Sequence, residues 1–401
     1  MEFKILNWNI GGAKYLEETK EKRKKTLTDL NKALRTLIEG NNKPDVITLQ
    51  EIVRYGKSSK DASEIINPIK GYKYFSFPLI DSDSLSSKDK WEKVKKLGGW
   101  PRDTFFAQGN AFLFRNDVPH FPVWDLSSSS ECRPKKPGHF VEQVILESGL
   151  YFGDRNTEPR AALIAHFIYN PTGKNGKPLD IFVINVHLTT LMMEREGIPD
   201  MDLTASDIRQ NHLSIIFRKI ISRYNIWKRL GFPIRGKIRK LKEWRAGESA
   251  DRFEPVWILA GDFNFTPESV EYERIMKMNF IDVVPGKGSG TKAKGVGNPA
   301  TLTLDYIFAG PKFISLDPLI AASEITDNFV DHSIKASDHY PMCANIPFTI
   351  PKEKNRSESD RSVTVRLSSN EQAKSQNRKV IGRQTVALSE SPGTPTKSLS
   401  K

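Results

Sequence analysis

Cysteine is almost absent: Cys132 and Cys343 are the two that 401 residues contain. Two thiols are too few for a disulfide framework or a cysteine metal cage, which removes the disulfide-scaffold and zinc-cluster classes. No uninterrupted apolar run approaches the roughly 18 residues needed to span a bilayer. The first residues, MEFKILNWNI, enter a strand pattern at once, without a basic stretch and a cleavage site. The expectation is a soluble, cytoplasmic protein. No internal repeat is visible. Acidic residues are in the minority, 48 Asp and Glu against 61 Lys and Arg, which gives a formal charge of +13. That balance favours polyanionic partners, either nucleic acid or an anionic membrane surface, and does not choose between them. It gives no ground for inferring a protein partner.

Apolar residues make up 38% of the chain, enough to bury a large core. Short runs rich in β-branched and aromatic residues predict strands at 3–10, 45–52, 111–116, 160–169, 179–189, 256–264, 304–310 and 340–350. Between the first two, Leu27, Leu30, Ala33, Leu34, Leu37 and Ile38 recur at helical spacing. A second amphipathic helix is expected from Ala205 to about Tyr224. Near-continuous apolar strands mixed with helices suggest sheets covered by helices, an α/β arrangement.

Three stretches stand apart. Residues 81–104 are polar. Residues 218–245 concentrate Lys and Arg around Tyr224, Trp227, Phe232 and Trp244 and carry one acid, Glu243. From Pro351 onward the chain is rich in Ser, Lys, Arg, Asn and Gln and loses its long apolar runs, the composition of a disordered tail. The expected organisation is a domain over 1–350, with a basic insertion at 218–245, and a tail over 351–401.

The chemistry lies where the strands end. In ILAGDFNFTP (258–267), three apolar residues and a Gly lead to Asp262 and Asn264, two apart and so expected to share one face of a strand. Asn9, Glu51, His187 and Asp305 stand at the ends of other apolar runs, and Asp338 with His339 precedes the last. One such residue would mean little, because Asn and Asp often cap turns and a lone His is usually structural. Their accumulation is informative. Carboxylates and carboxamides suit a hard cation such as Mg²⁺, and an Asp beside a His fixes the imidazole tautomer for proton transfer. Together they describe metal-assisted hydrolysis.

The ordered set NWNIGG, LQE, NVHL, GDFN, LDYIF and SDH resembles the endonuclease/exonuclease/phosphatase superfamily, which includes DNase I-like nucleases, abasic-site endonucleases, inositol-phosphate phosphatases, sphingomyelinases and deadenylases. The resemblance covers residues 1 to about 350. It implies a four-layer α/β sandwich, two packed mixed sheets with helices outside, and a site at one end. It implies Mg²⁺, with Mn²⁺ able to substitute, on Glu51, with Asn9 beside it and Asp338 a further metal contact. Asp262 would orient or deprotonate the attacking water, Asn264 would hold a phosphate oxygen, and a protonated His187 would offset developing charge. His339 matches the catalytic His and Asp305 its orienting partner. Which of Asp262 and His339 takes the proton stays open. Arg160, in EPRAAL, reads equally as a phosphate contact or as a surface Arg at a strand start.

Departures narrow the subfamily. The resemblance to abasic-site endonucleases would need an acid two residues after the NWN Asn and a Lys after LQE. Gly11 and Ile52 stand there, which leaves a second metal in doubt. The Cys-Asp-Arg signature of inositol 5-phosphatases is absent. Two substrate classes remain: a nuclease, favoured by net charge and by the cation and aromatic mixture at 218–245, and a phosphatase or phosphodiesterase working at a membrane, which the same basic amphipathic segment would suit.

Overall fold

A computed structural model of the chain describes residues 2–11, 20–39, 43–55, 69–81, 106–118, 120–121, 141–147, 160–169, 179–189, 199–222, 256–284, 290–293, 299–310, 328–334 and 336–347. The expected tail, residues 82–104 of the first polar stretch and residues 223–245 of the basic insertion lie outside the described residues.

The chain opens with β1 (Glu2–Asn9), α1 (Lys20–Glu39), β2 (Val46–Tyr55), β3 (Tyr72–Asp81) and β4 (Phe106–Arg115). Then come β5 (His120–Phe121), β6 (Val141–Glu147), β7 (Arg160–Tyr169) and β8 (Leu179–His187). Helix α2 (Pro199–Ser214) runs on into a π-helical stretch (Ile215–Ile221) and is followed by β9 (Val256–Asp262) and α3 (Val270–Lys277). The remainder is β10 (Ile281–Asp282), β11 (Lys292–Ala293), β12 (Ala300–Leu302), β13 (Asp305–Gly310), β14 (Phe329–Val330) and β15 (Met342–Pro347).

Two mixed sheets result. The first has the order β14-β15-β1-β2-β4-β3, and the second β10-β13-β9-β8-β7-β5 with β6 also on β7. Each is built around one parallel pair, β1 with β2 and β8 with β9, and the other pairings are antiparallel. Strand β15 pairs with β1, so the last strand of the domain lies beside the first.

The burial pattern gives the layers. Phe3, Ile5 and Phe112 from the first sheet pack with Leu163, Val183, Ile258 and Ile307 from the second, which puts one core between the sheets. On the outer face of the first sheet Leu30, Leu34, Leu37 and Ile38 of α1 cover Leu6, Trp8, Ile47 and Leu49. On the outer face of the second, Leu213, Ile216, Phe217 and Ile220 cover Ile184, Trp257, Leu259 and Phe308. Helix, sheet, sheet, helix is the four-layer α/β sandwich expected of the sequence. Near-complete apolar runs such as β9, buried at every position, follow from having a layer on both faces.

Polar side chains join the sheets as well. Gln50 Nε2 donates to Asn7 Oδ1 at 2.9 Å and to Asn185 Oδ1 at 2.8 Å, and Asn185 Nδ2 donates to the carbonyls of Leu49 and Ala111. All three residues are wholly buried. The expected strand at 160–169 is met at both ends by β7, and the others differ by a few residues. Strand β3 was not expected, because Pro78 interrupts it. It is an edge strand whose register shifts between Pro78 and Ile80, where a missing N–H is tolerated. No helix among the described residues is long and apolar enough to cross a membrane.

Candidate active site

The C-terminal ends of the two parallel pairs meet at one end of the sandwich. Asn9 is the last residue of β1 and His187 and Asp262, the last residues of β8 and β9, lie opposite each other in register. Asp305 opens β13 and is paired with Asp262, because an antiparallel strand brings its start to the end of its neighbour. Glu51 sits in β2 where the register on β4 slips between Leu49 and Ile52, and its φ is 55°. A bulge re-aims a side chain out of the pleat, and a left-handed non-Gly residue costs on the order of 1–3 kcal/mol, strain of the kind found at functional sites.

The GDFN turn differs from the sequence expectation. Asp262 ends β9, and Asn264 lies beyond it with φ 55°, so strand parity does not unite the two. The Asp262 Oδ1 accepts the backbone N–H of Asn264 at 3.0 Å, and the Asn264 Nδ2 donates to the carbonyl of Leu188 at 3.1 Å. Phe263 and Phe265 alternate with them into the core under the helices. Gly261 permits the approach of β8: a Cβ there would stand 2.0 Å from the carbonyl oxygen of Val186.

Asp262 Oδ2 is the centre of the cluster. It accepts from Asn9 Nδ2 at 2.9 Å and lies 3.7 Å from His187 Nε2 and 3.8 Å from His339 Nε2. Asn9 Nδ2 also donates to Glu51 Oε1 at 3.1 Å, and Asn9 Oδ1 accepts from Gly11 N–H at 2.9 Å. The Gly11 bond fixes the amide's orientation. Asn9 therefore turns its NH₂ toward the two carboxylates and its oxygen away, so it holds them together. Burial and the neighbouring Asp305 push the Asp262 carboxyl up to about 7.

His339 Nδ1 lies 2.8 Å from Asp305 Oδ2, and its Nε2 lies 2.6 Å from Lys292 Nζ. Burial alone would lower its basicity, but Asp305 outweighs burial and raises it above the ordinary histidine range. The backbone seats the ring: the His339 N–H donates to Ser337 Oγ, Ser337 Oγ–H donates to the carbonyl of Asn9, and Trp8 Nε1 donates to the carbonyl of His339. Asp338 is bound to Lys292, with Nζ 2.8 Å from Oδ2.

His187 differs from its expected state. Burial, then Arg160, His339 and Lys292, hold it well below the ordinary histidine range, so it is neutral at pH 7 and not protonated. A neutral imidazole still carries one N–H to donate. Arg160 is buried, which removes the surface reading, and its charge acts on His187.

The donor set fits a hard cation. Glu51, His187 and Asp262 offer ligand atoms that all lie within 4.8 Å of one another. The cis and trans ligands of an octahedral Mg²⁺ with ~2.1 Å bonds stand about 3 and 4.2 Å apart, so a small adjustment would bring them in range. The two carboxylate oxygens share the Asn9 amide, with His187 Nε2 at 3.9 and 3.7 Å, and a cation would offset their mutual repulsion. Sequence reasoning missed Lys292, Gly11 and Ser337. Lys292 follows a Gly and a Thr in a stretch with no periodicity, and only the pairing of β11 brings it to the site.

A four-layer sandwich with acid, amide and imidazole groups gathered at the ends of its strands defines the DNase I-like class of folds. The chain belongs to the endonuclease/exonuclease/phosphatase family, whose sequence model matches residues 6–339. Members of this family hydrolyse phosphoester bonds. A solved family protein from Bacteroides thetaiotaomicron is 14% identical, with 87% of this chain and 99% of that one covered and a TM-score of 0.46. A mannosyl-6-phosphatase from B. thetaiotaomicron VPI-5482 is 14% identical, over 86% and 100% of the two chains, with a TM-score of 0.43. The human Nocturnin catalytic domain with bound sulfate is 14% identical, over 87% and 95%, with a TM-score of 0.41. No curated protein sequence matches the chain.

Proposed function

We propose that the protein is a Mg²⁺-dependent nuclease that cleaves phosphodiesters of nucleic acid. The observation that carries the hydrolytic part is the contact chain Glu51, Asn9, Asp262, His339, Asp305, in which two acids and an acid-held imidazole surround one small volume. Glu51 and Asp262, with His187 beside them, would hold the ion. When bound, Mg²⁺ would withdraw electron density from the phosphoryl group and favour departure of the leaving oxygen.

The residues of the chain do the rest. Asp305 orients His339, and His339 with Asp262 forms a pair of proton acceptors 3.8 Å apart for the attacking water. His187 would donate its one N–H to a phosphate oxygen, and the charge of Arg160 adds positive potential there. Asn264, whose amide is held by the Leu188 carbonyl, would bind a phosphate oxygen of the substrate.

The nucleic-acid part rests on the +13 charge and on the cations and aromatics at 218–245. A panel of plasmid DNA, single-stranded DNA, RNA, inositol phosphates and sphingomyelin, assayed with Mg²⁺ and with EDTA, tests it. Cleavage of a nucleic acid is expected. Turnover confined to inositol phosphates or sphingomyelin would move the protein to the phosphatase or phosphodiesterase class. Neutralising Arg235, Lys237, Arg239 and Lys240 together should reduce the slope of log K against log salt by about 0.7 to 0.9 for each lost phosphate contact.

A further inference from the structure

We propose that Lys292 supplies the second positive charge of this site, so that one divalent cation binds at Glu51 and Asp262 while the Lys292 ammonium neutralises Asp338 and faces the substrate phosphate. The inference rests on the hydrolase reading above and adds the number of ions and the residue that replaces one of them.

Three observations carry it. The first is position. Lys292 Nζ touches Asp338 Oδ2 at 2.8 Å and His339 Nε2 at 2.6 Å, and its side chain is 31% exposed, so the residue borders both the cluster and solvent. When the His339 ring is neutral with its Nδ1–H toward Asp305, its Nε2 lone pair accepts from the ammonium, and a phosphate oxygen arriving there would offer Lys292 a charged acceptor in exchange.

The second is that the segment is built in. Lys292 pairs with His339 in an isolated antiparallel bridge, and Ala293 N–H donates to the carbonyl of Asp338 at 2.8 Å. On the other side, Thr291 N–H donates to the carbonyl of Leu302, Thr291 Oγ1 accepts from the N–H groups of Leu304 and Asp305, and the carbonyl of Thr291 accepts from Tyr340 N–H. The backbone carrying Lys292 is thus tied to both segments that carry the Asp305 and His339 pair.

The third is the distribution of charge. Of four carboxylates, Asp305 is engaged by His339 and Asp338 by Lys292, while Glu51 and Asp262 share the Asn9 amide and have His187 Nε2 at 3.9 and 3.7 Å. On the β1 side of Asp338 stands Gly11, which brings no side-chain ligand atom. A Cβ there would already stand 2.9 Å from Asp338 Oδ1. A single carboxylate already paired with an ammonium is a poor site for a divalent ion, which needs several oxygen ligands.

Direct Mn²⁺ binding to the full chain, by calorimetry and electron paramagnetic resonance without substrate, tests the proposal. The wild type is expected to bind one ion per chain. Glu51→Gln should weaken that ion at least tenfold, whereas Asp338→Asn should leave its number and affinity within twofold. Lys292→Gln should still bind one ion but lose inorganic phosphate affinity about tenfold in the Mn²⁺-loaded protein, and Lys292→Arg should restore most of it. Circular dichroism would confirm that each variant is folded, and the Asp338→Asn arm decides the matter if Lys292→Gln does not fold. Two ions on the wild type, or tenfold weaker Mn²⁺ on Asp338→Asn, would overturn the proposal. Wild-type Mn²⁺ binding by Glu51→Gln would overturn the underlying site reading and this one with it.

Discussion

Asp305 and His339 are 34 residues apart in the chain, yet Oδ2 of one and Nδ1 of the other stand 2.8 Å apart with both side chains buried. In the proposed mechanism Asp305 acts chiefly through the ring it holds. His339→Ala and Asp305→Ala should each lower kcat by about 10³-fold or more, and the double variant should be hardly worse than either, because residues that act as a unit are not additive. Steady-state kinetics of the three variants checks this, and a double variant whose defect is the product of the two would show separate roles.

Glu51 combines a ligand role with a left-handed backbone. Glu51→Gln should cost several orders of magnitude in Mg²⁺-dependent turnover and little stability, since the side chain is not part of a core contact. Turnover by the wild type that survives excess EDTA would contradict the metal dependence.

The raised carboxyl of Asp262 has a consequence for stability. Its ordinary value is 3.8 and in the folded chain it is about 7, so the folded state holds this proton more tightly than the unfolded one. The contribution favours folding below pH 4 and is lost as pH rises through 7. In metal-free protein Asp262→Asn should therefore raise Tm by a few degrees at pH 8.5, and more than half of that difference should vanish by pH 5. Thermal melts in EDTA at the two pH values measure it, and an equal difference at both would show that Asp262 is not the titrating group.

Gly11 has φ +66°, and a Cβ would stand 2.9 Å from Asp338 Oδ1 and 3.0 Å from Ser337 Oγ. Gly11→Ala should cost about 1–3 kcal/mol, from backbone strain and from displacing the segment that seats His339. Urea unfolding reports the loss, and a drop in kcat should accompany it. A variant as stable and active as wild type would mean that the turn simply moves aside.

The structure explains which of these features the sequence could reveal. Asn9, Glu51, His187, Asp262, Asp305 and His339 each adjoin an apolar run, so the alternation and its end are visible in the chain, and the motif set told how they would converge. Their orientations were not legible. The amide of Asn9 is set by Gly11 N–H, the placement of Asn264 by a left-handed turn, and the neutrality of His187 by burial and by cations from other strands. Lys292 was hidden for the same reason: nothing local marks it, and its place depends on bonds to Leu302, Asp338 and Tyr340 made by its neighbours. Short edge strands such as β10 and β14 are set by pairing and carry no pattern of their own.

The Gln50 bridge between the sheets has a bearing on how the enzyme comes into being. Asn9 and Glu51 belong to one sheet, His187, Asp262 and Asp305 to the other, and Asn9 meets Asp262 across 253 residues of chain. Neither sheet alone carries a working fraction of the cluster. The bond from Gln50 to Asn185 and those from Asn185 Nδ2 to the carbonyls of Leu49 and Ala111 form only when the sheets close with one particular lateral alignment, so a slipped docking is penalised at the same step that would misplace the reactive groups. During refolding, catalytic competence should consequently appear all at once with the final docking event, and chain fragments that retain only one sheet should be inert however much secondary structure they keep.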